Sequence, residues 1–124
     1  MKIFDVILYA RKDGSVPVKD FIMSLSGKIQ AKVLMEIDLL EEYGNELDGK
    51  YTKYITKGIY ELRVRISSNR VRILFFFYSD KKIILTNGFI KKTQKTPIRE
   101  IETALKYRED FFNREENWLW NGQK

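Results

Sequence analysis

Four arginines at positions 63, 65, 70 and 72 and three lysines at 91, 92 and 95 are the side chains best suited to chemistry in this chain, and that chemistry is the handling of phosphate. A guanidinium presents its N–H groups as a planar fork that matches two phosphate oxygens. The lysines belong to Lys91-Lys92-Thr93-Gln94-Lys95-Thr96, a run of cations and neutral hydrogen-bonding side chains. It lies just ahead of an expected helix N-terminus, where free N–H donors and partial positive charge also attract anions. The chain has no cysteine and no histidine. That removes thiolate nucleophiles, imidazole bases and the commonest metal ligands. No metal and no cofactor is expected.

The arginines need a strand hairpin to bring them together. Residues 59–66 (IYELRVRI) and 70–78 (RVRILFFFY) alternate with period two, so successive side chains point to opposite faces. Tyr60, Leu62, Val64 and Ile66 share an apolar face with Val71, Ile73, Phe75 and Phe77. Glu61, Arg63 and Arg65 share the other with Arg70, Arg72, Leu74, Phe76 and Tyr78. An even-numbered loop keeps the faces unmixed and is taken to pair Ile66 with Val71, Arg65 with Arg72 and Val64 with Ile73. Like charges facing each other cost up to roughly 1 kcal/mol, and Glu61 is the one acid in these two strands. Two readings remain open: a phosphate site, or a solvated face that receives carboxylates from elsewhere. The basic loop taken alone reads as an ordinary exposed loop; beside the arginines it becomes a second wall of one cleft.

The remaining elements follow from periodicity. Residues 3–9 (IFDVILY) read as a first strand. Pro17 opens a short helix with Val18, Phe21, Ile22 and Leu25 on one side. A longer helix over 28–43 buries Ile29, Val33, Ile37 and Leu40 and ends at Gly44. Residues 45–57 read as an irregular connection, and 82–90 (KIILTNGFI) as the third strand of an antiparallel meander. Thr96-Pro97 opens a last helix whose inner stripe is Ile98, Ile101, Ala104, Leu105 and Phe112. The order β-α-α-β-β-β-α gives an α+β domain over 1–113, an antiparallel sheet with helices packed on one face, followed by a tail over 114–124.

The 124 residues hold 23 Lys+Arg against 17 Asp+Glu, a net charge of +6, which favours a polyanionic partner. No apolar run reaches the ~18 residues of a membrane span. The start Met1-Lys2-Ile3-Phe4-Asp5 carries no signal-peptide core. A cytoplasmic protein without membrane contact is expected.

Three segments resemble a known family. Gly58-Ile59-Tyr60-Glu61-Leu62-Arg63 is similar to its G-(L/I)-(W/Y)-E-L-R segment, and Arg70-Val71-Arg72-Ile73-Leu74-Phe75 to its second hairpin strand. Leu85 to Pro97 is similar to its most specific signature, a strand ending in G-F-x-K-K-T-Q-K-T-P, and Glu100, Ile101 and Ala104 also fit. The family is the phage-derived Gp49-like group of HigB toxins in the RelE/ParE superfamily, and the likeness spans roughly residues 3–112. It implies a RelE-like fold and the toxin of a type II toxin–antitoxin pair, a ribosome-dependent mRNA endonuclease neutralised by a helix-turn-helix, HigA-like antitoxin. Asn87 stands where many members have histidine, and asparagine does not titrate near neutral pH.

RNA brings its own nucleophile, the 2′-hydroxyl, so cleavage needs alignment, stabilised phosphorane charge and a protonated leaving oxygen. On this reading Arg63 and Arg72 hold the scissile phosphate, and Lys91 or Lys92 lies near the 2′-hydroxyl or the leaving oxygen. Arg65 and Arg70 grip neighbouring phosphates, and Lys53, Lys57 and Lys95 complete the basic rim. A lysine among arginines has a lowered pKa and can act as a base. Phe76 and Tyr78 read either as base-stacking platforms or as packed sheet residues. Trp118 and Trp120 in the tail either cover the body or meet the antitoxin. Three other readings stand beside it: a ParE-like gyrase-directed toxin, a non-catalytic RNA-binding domain and a phage structural protein, the last of which the arginine face argues against.

Overall fold

The structure is a computed structural model that describes residues 2–79 and 81–122, with side chains as far as Arg114. Its class is the expected α+β. Five strands, β1 (Asp5–Leu8), β2 (Thr52–Thr56), β3 (Ile59–Ile66), β4 (Asn69–Tyr78) and β5 (Lys82–Ile90), form one sheet in the order β1-β5-β4-β3-β2. Three helices accompany it: α1 (Pro17–Met23), α2 (Gly27–Tyr43) and α3 (Ile98–Gly122). The sheet is mixed, because β1 runs parallel to β5 while the other neighbours are antiparallel.

Several details depart from expectation, the first being that β1 makes the sheet mixed and not antiparallel throughout. Residues 52–56 are a strand, not an irregular connection. Their alternation is hidden because Lys53 and Tyr54 are both exposed on this edge strand. Helices also cover both faces of the sheet. Val18, Ile22 and Leu25 of the α1 segment and Val33 and Leu40 of α2 pack on Leu62, Val64, Val71, Ile73 and Phe75. Helix α3 packs on the opposite face, placing Ala104, Leu105, Tyr107 and Phe111 against Leu74, Phe76, Tyr78 and Ile84. Leu74, Phe76 and Tyr78 share the arginine strand face, so α3 roofs its apolar half and leaves its cationic half beyond the helix N-terminus. Ile98, expected in the inner stripe, is exposed.

The β3–β4 hairpin closes tighter than expected. Ile66 pairs with Asn69, Arg65 with Arg70, Val64 with Val71 and Arg63 with Arg72. The register differs by two residues and keeps every side chain on its expected face. Ser67 at φ 53° supplies the left-handed turn residue that a two-residue hairpin requires.

Two glycines are set by close approach. Gly44 ends α2 at φ 53°, and a Cβ there would lie 2.2 Å from the Phe4 ring. A Cβ on Gly88 would lie 2.4 Å from the Phe21 ring, so α1 sits on β5 only because that position has no side chain. Helix α3 is tied along its length. Tyr9 Oη donates to Asp110 Oδ2 at 2.6 Å, Arg108 donates to the Lys57 carbonyl and Arg114 to the Ala10 carbonyl. Its backbone continues through the segment read as a tail. The side chains of Trp118 and Trp120 lie outside the described residues.

Candidate functional site

Strand pairing lines up three rows of side chains on the α3 face. Lys53 faces Glu61, Glu61 faces Leu74, and Leu74 faces Asn87. The next row is Arg63, Arg72 and Phe89. Beyond it Arg65 faces Arg70, whose carbonyl accepts from the Lys91 N–H at 2.8 Å. Lys53, Arg63, Arg65, Arg70, Arg72 and Lys91 therefore share the sheet face that carries Glu61.

A β-bulge makes this possible. Leu74 pairs with Asn87 but Phe75 pairs with Leu85, leaving Thr86 as the extra residue of β5. Its hydroxyl donates to the Leu74 carbonyl at 3.0 Å. Unbroken alternation from Ile84 would send Lys91 to the α1–α2 face. The extra residue reverses the parity and brings Asn87, Phe89 and Lys91 round to the arginines.

The arginines are not equivalent. Arg72 is only 1% exposed, and its Nε lies 3.4 Å from Oε1 of Glu61, which is fully buried. Neither atom of that contact has a hydrogen bond. Arg72 Nη1 donates to the Val71 carbonyl at 3.1 Å, and Glu61 Oε2 accepts from Thr96 Oγ1 at 2.5 Å. This depth contrasts with the exposed guanidinium that a direct grip on phosphate would use. Its charge still acts on the site, because low-dielectric surroundings transmit it. Burial, above all, lowers its pKa; Glu61 opposes that shift, and Arg63, Arg65 and Arg70 add to it.

Arg63 is the half-buried arginine of the patch. It has no carboxylate partner among the described residues; Nη1 donates to the Gly49 carbonyl at 3.3 Å and Nε has no partner. Arg65, Arg70 and Lys53 are exposed, and no ion pair joins Arg65 or Arg70 to a described carboxylate. Lys91 is 9% exposed. Burial is the main cause of its lowered pKa, with the charges of Arg72, Lys53 and Arg63 adding to it and Glu61 opposing.

Lys92 and Lys95 are exposed on the loop before α3. Lys57 is not part of the patch: it sits in the β2–β3 turn at φ 49°, beside Leu105, Arg108 and Phe112 of α3. Phe76 is buried and packs edge-on to Phe111, with Tyr78 against the same ring, so neither offers a free stacking face. Asn87 donates to the carbonyl and to Oε1 of Glu100, at 3.2 and 3.0 Å, and so fastens the first turn of α3 to β5. Glu61 and Thr96 were not singled out from the sequence as site residues. Both join motifs that the sequence displays, but their contact is 35 residues apart in the chain. Among the described residues no group of three or more His, Cys, Asp or Glu is placed to hold a metal ion.

Residues 20–109 match the family model described as Phage derived protein Gp49-like. The protein named "Probable endoribonuclease HigB1" of Mycobacterium tuberculosis, found in two strains, is 36% identical over 97 residues, covering 77% of this chain and 74% of that protein. The matched span holds the patch and the loop that closes it, and the chain belongs to the phage-derived Gp49-like family.

Proposed function

We propose that this protein is a HigB-type toxin of a toxin–antitoxin pair, an endoribonuclease that stops translation by cutting messenger RNA without a metal. The observation that carries this reading is the meeting of Lys53, Arg63, Arg65, Arg70 and Lys91 on one face beside a buried Arg72–Glu61 pair. The relative's name supports the reaction class.

Arg63 holds the scissile phosphate and meets the charge that builds on its oxygens. Lys91, with its lowered pKa, takes the proton of the 2′-hydroxyl. The O2′ attacks phosphorus, the bond to O5′ breaks, and Lys92 gives the leaving oxygen its proton. The products are a 2′,3′-cyclic phosphate and a 5′-hydroxyl. Arg72 and Glu61 act from beneath, with Thr96 pinning the basic loop to the same carboxylate. Arg65, Arg70, Lys53 and Lys95 hold flanking phosphates. The ribosome would present the message, and a helix-turn-helix antitoxin would cover the cationic patch.

Arg63→Ala is expected to abolish growth arrest while leaving the fold intact, and Arg63→Lys not to restore it. Full toxicity of Arg63→Ala would remove the assignment. In arrested cells the proposal expects lost amino-acid incorporation with normal plasmid supercoiling; the reverse pattern would indicate a gyrase-directed toxin.

A further inference from the structure

A second group of cations lies round the edge of the sheet. Strand β2 pairs with β3 as far as Leu62, and Tyr51 O accepts from the Arg63 N–H at 2.7 Å. Past that point Arg63 and Arg65 meet Lys32 and Glu36 of α2, and Lys50 and Tyr51 of the approach to β2, around a cleft of about 90 Å³. By register both arginines belong to the α3 face, whereas α2 packs on the other. The cleft therefore joins the two faces across the edge of β3.

Its chemistry is that of an anion site. Lys32, Lys50, Arg63 and Arg65 surround a single carboxylate, Glu36, which is 2% exposed. Glu36 Oε2 lies 3.6 Å from Lys32 Nζ, while Glu36 Oε1 and Arg63 Nε have no hydrogen-bond partner. One carboxylate leaves an excess of three positive charges on the lining. Tyr51 is the aromatic of that lining, and Lys50 Nζ already sits 5.5 Å from its ring centroid, so its face favours a cation over a stacked base.

We propose that this cleft is a second phosphate-holding subsite of the RNA track, taking the backbone phosphate next to the one at Lys53, Arg63 and Lys91. The inference rests on the RNA-cleaving reading and adds a direction to it. The strand leaves the catalytic patch over the free edge of β3 and runs toward α2, with Arg63 shared by both sites. Lys32 and Lys50 grip the phosphate, and Glu36 beneath keeps Lys32 in place.

The test is a salt titration of binding to a non-cleavable 2′-O-methyl single-stranded RNA. Each phosphate contact adds about 0.7 to the slope of log affinity against log salt for a single strand. Lys32→Ala/Lys50→Ala is expected to bind about tenfold more weakly at low salt and to lose about 0.7 to 1.4 from that slope. Lys19→Ala/Lys81→Ala, which removes the same charge from other exposed positions, is expected to keep the wild-type slope. Glu36→Gln keeps the shape, removes the lone negative charge and is expected to tighten binding severalfold.

The subsite is overturned if the Lys32/Lys50 variant matches the Lys19/Lys81 control. Weaker binding by Glu36→Gln that persists in the Lys32→Ala background also overturns it, since the carboxylate would then be accepting from a base and not merely holding Lys32. Arg63→Ala in the same titration separates the two levels. Loss of binding there, with an unaffected Lys32/Lys50 variant, keeps the RNA reading and removes only the subsite. No loss in either variant, or no binding by the wild-type protein, removes both.

Discussion

Arg72 and Arg63 stand opposite each other in the same strand pair, yet their removal has unequal consequences. Arg72→Ala leaves Glu61 charged and buried, and breaking such a pair costs about 3–5 kcal/mol. Arg63→Ala abandons no carboxylate and is expected to cost at most about 1 kcal/mol. Urea unfolding of the two variants checks this, and equal losses would contradict the depth assigned to Arg72. Lys91 makes a separate claim. Its neutral form is favoured by burial and by nearby cations, so the cleavage rate is expected to rise with pH through a limb below the ordinary lysine range. Lys91→Arg keeps the charge, does not deprotonate and is expected to lose that limb. An unchanged pH profile would exclude Lys91 as the base. The common face of the four arginines was legible because period two is local geometry. Their depth was not. How far a side chain sits from water depends on Thr96, Phe89 and Lys91, which arrive from distant parts of the chain.

At the scale of elements, strand β5 does the most to assemble the site. Its bulge at Thr86 decides which face receives Lys91, and Gly88 decides how closely α1 can approach. Gly88→Ala forces a methyl group toward the Phe21 ring and is expected to destabilise the fold by about 1–3 kcal/mol. Phe21→Leu in the same chain is expected to recover part of that loss. Additive costs in a double-mutant cycle would show that the two residues do not meet. Sequence reading recovered the hairpin, α1, α2 and β5 because each has clear periodicity or a clear cap. It missed β2, an edge strand whose exposed Lys53 and Tyr54 break the expected alternation. It also placed α3 on the wrong face. Handedness of packing is a whole-fold property, and the apolar Leu74, Phe76 and Tyr78 were the available hint that the arginine face has a roofed half.

Across the whole molecule, positive charge is concentrated where it destabilises unless a polyanion arrives. Arg65 faces Arg70 with no described carboxylate between them, and the α2 cleft adds two lysines round the edge. Glu36 is the buried counterweight. Burial raises its pKa above the ordinary carboxylate value, so the folded protein takes up this proton before the unfolded chain does as the pH falls. The penalty for burying the charge is absent below the unfolded pKa and complete above the folded one. Glu36→Gln is therefore expected to be more stable than wild type at neutral pH, and the difference to shrink as the pH drops through that window. A gap that widens at low pH would reverse the sign of the argument.

The claim under all of this is that the RNA supplies the nucleophile and the protein supplies positive charge and one neutral lysine. End-group analysis of message cut in cells expressing the toxin tests it most directly. The account expects a 2′,3′-cyclic phosphate on the upstream fragment and a 5′-hydroxyl on the downstream one. A 3′-hydroxyl with a 5′-phosphate would mean that water attacked instead, and would contradict it.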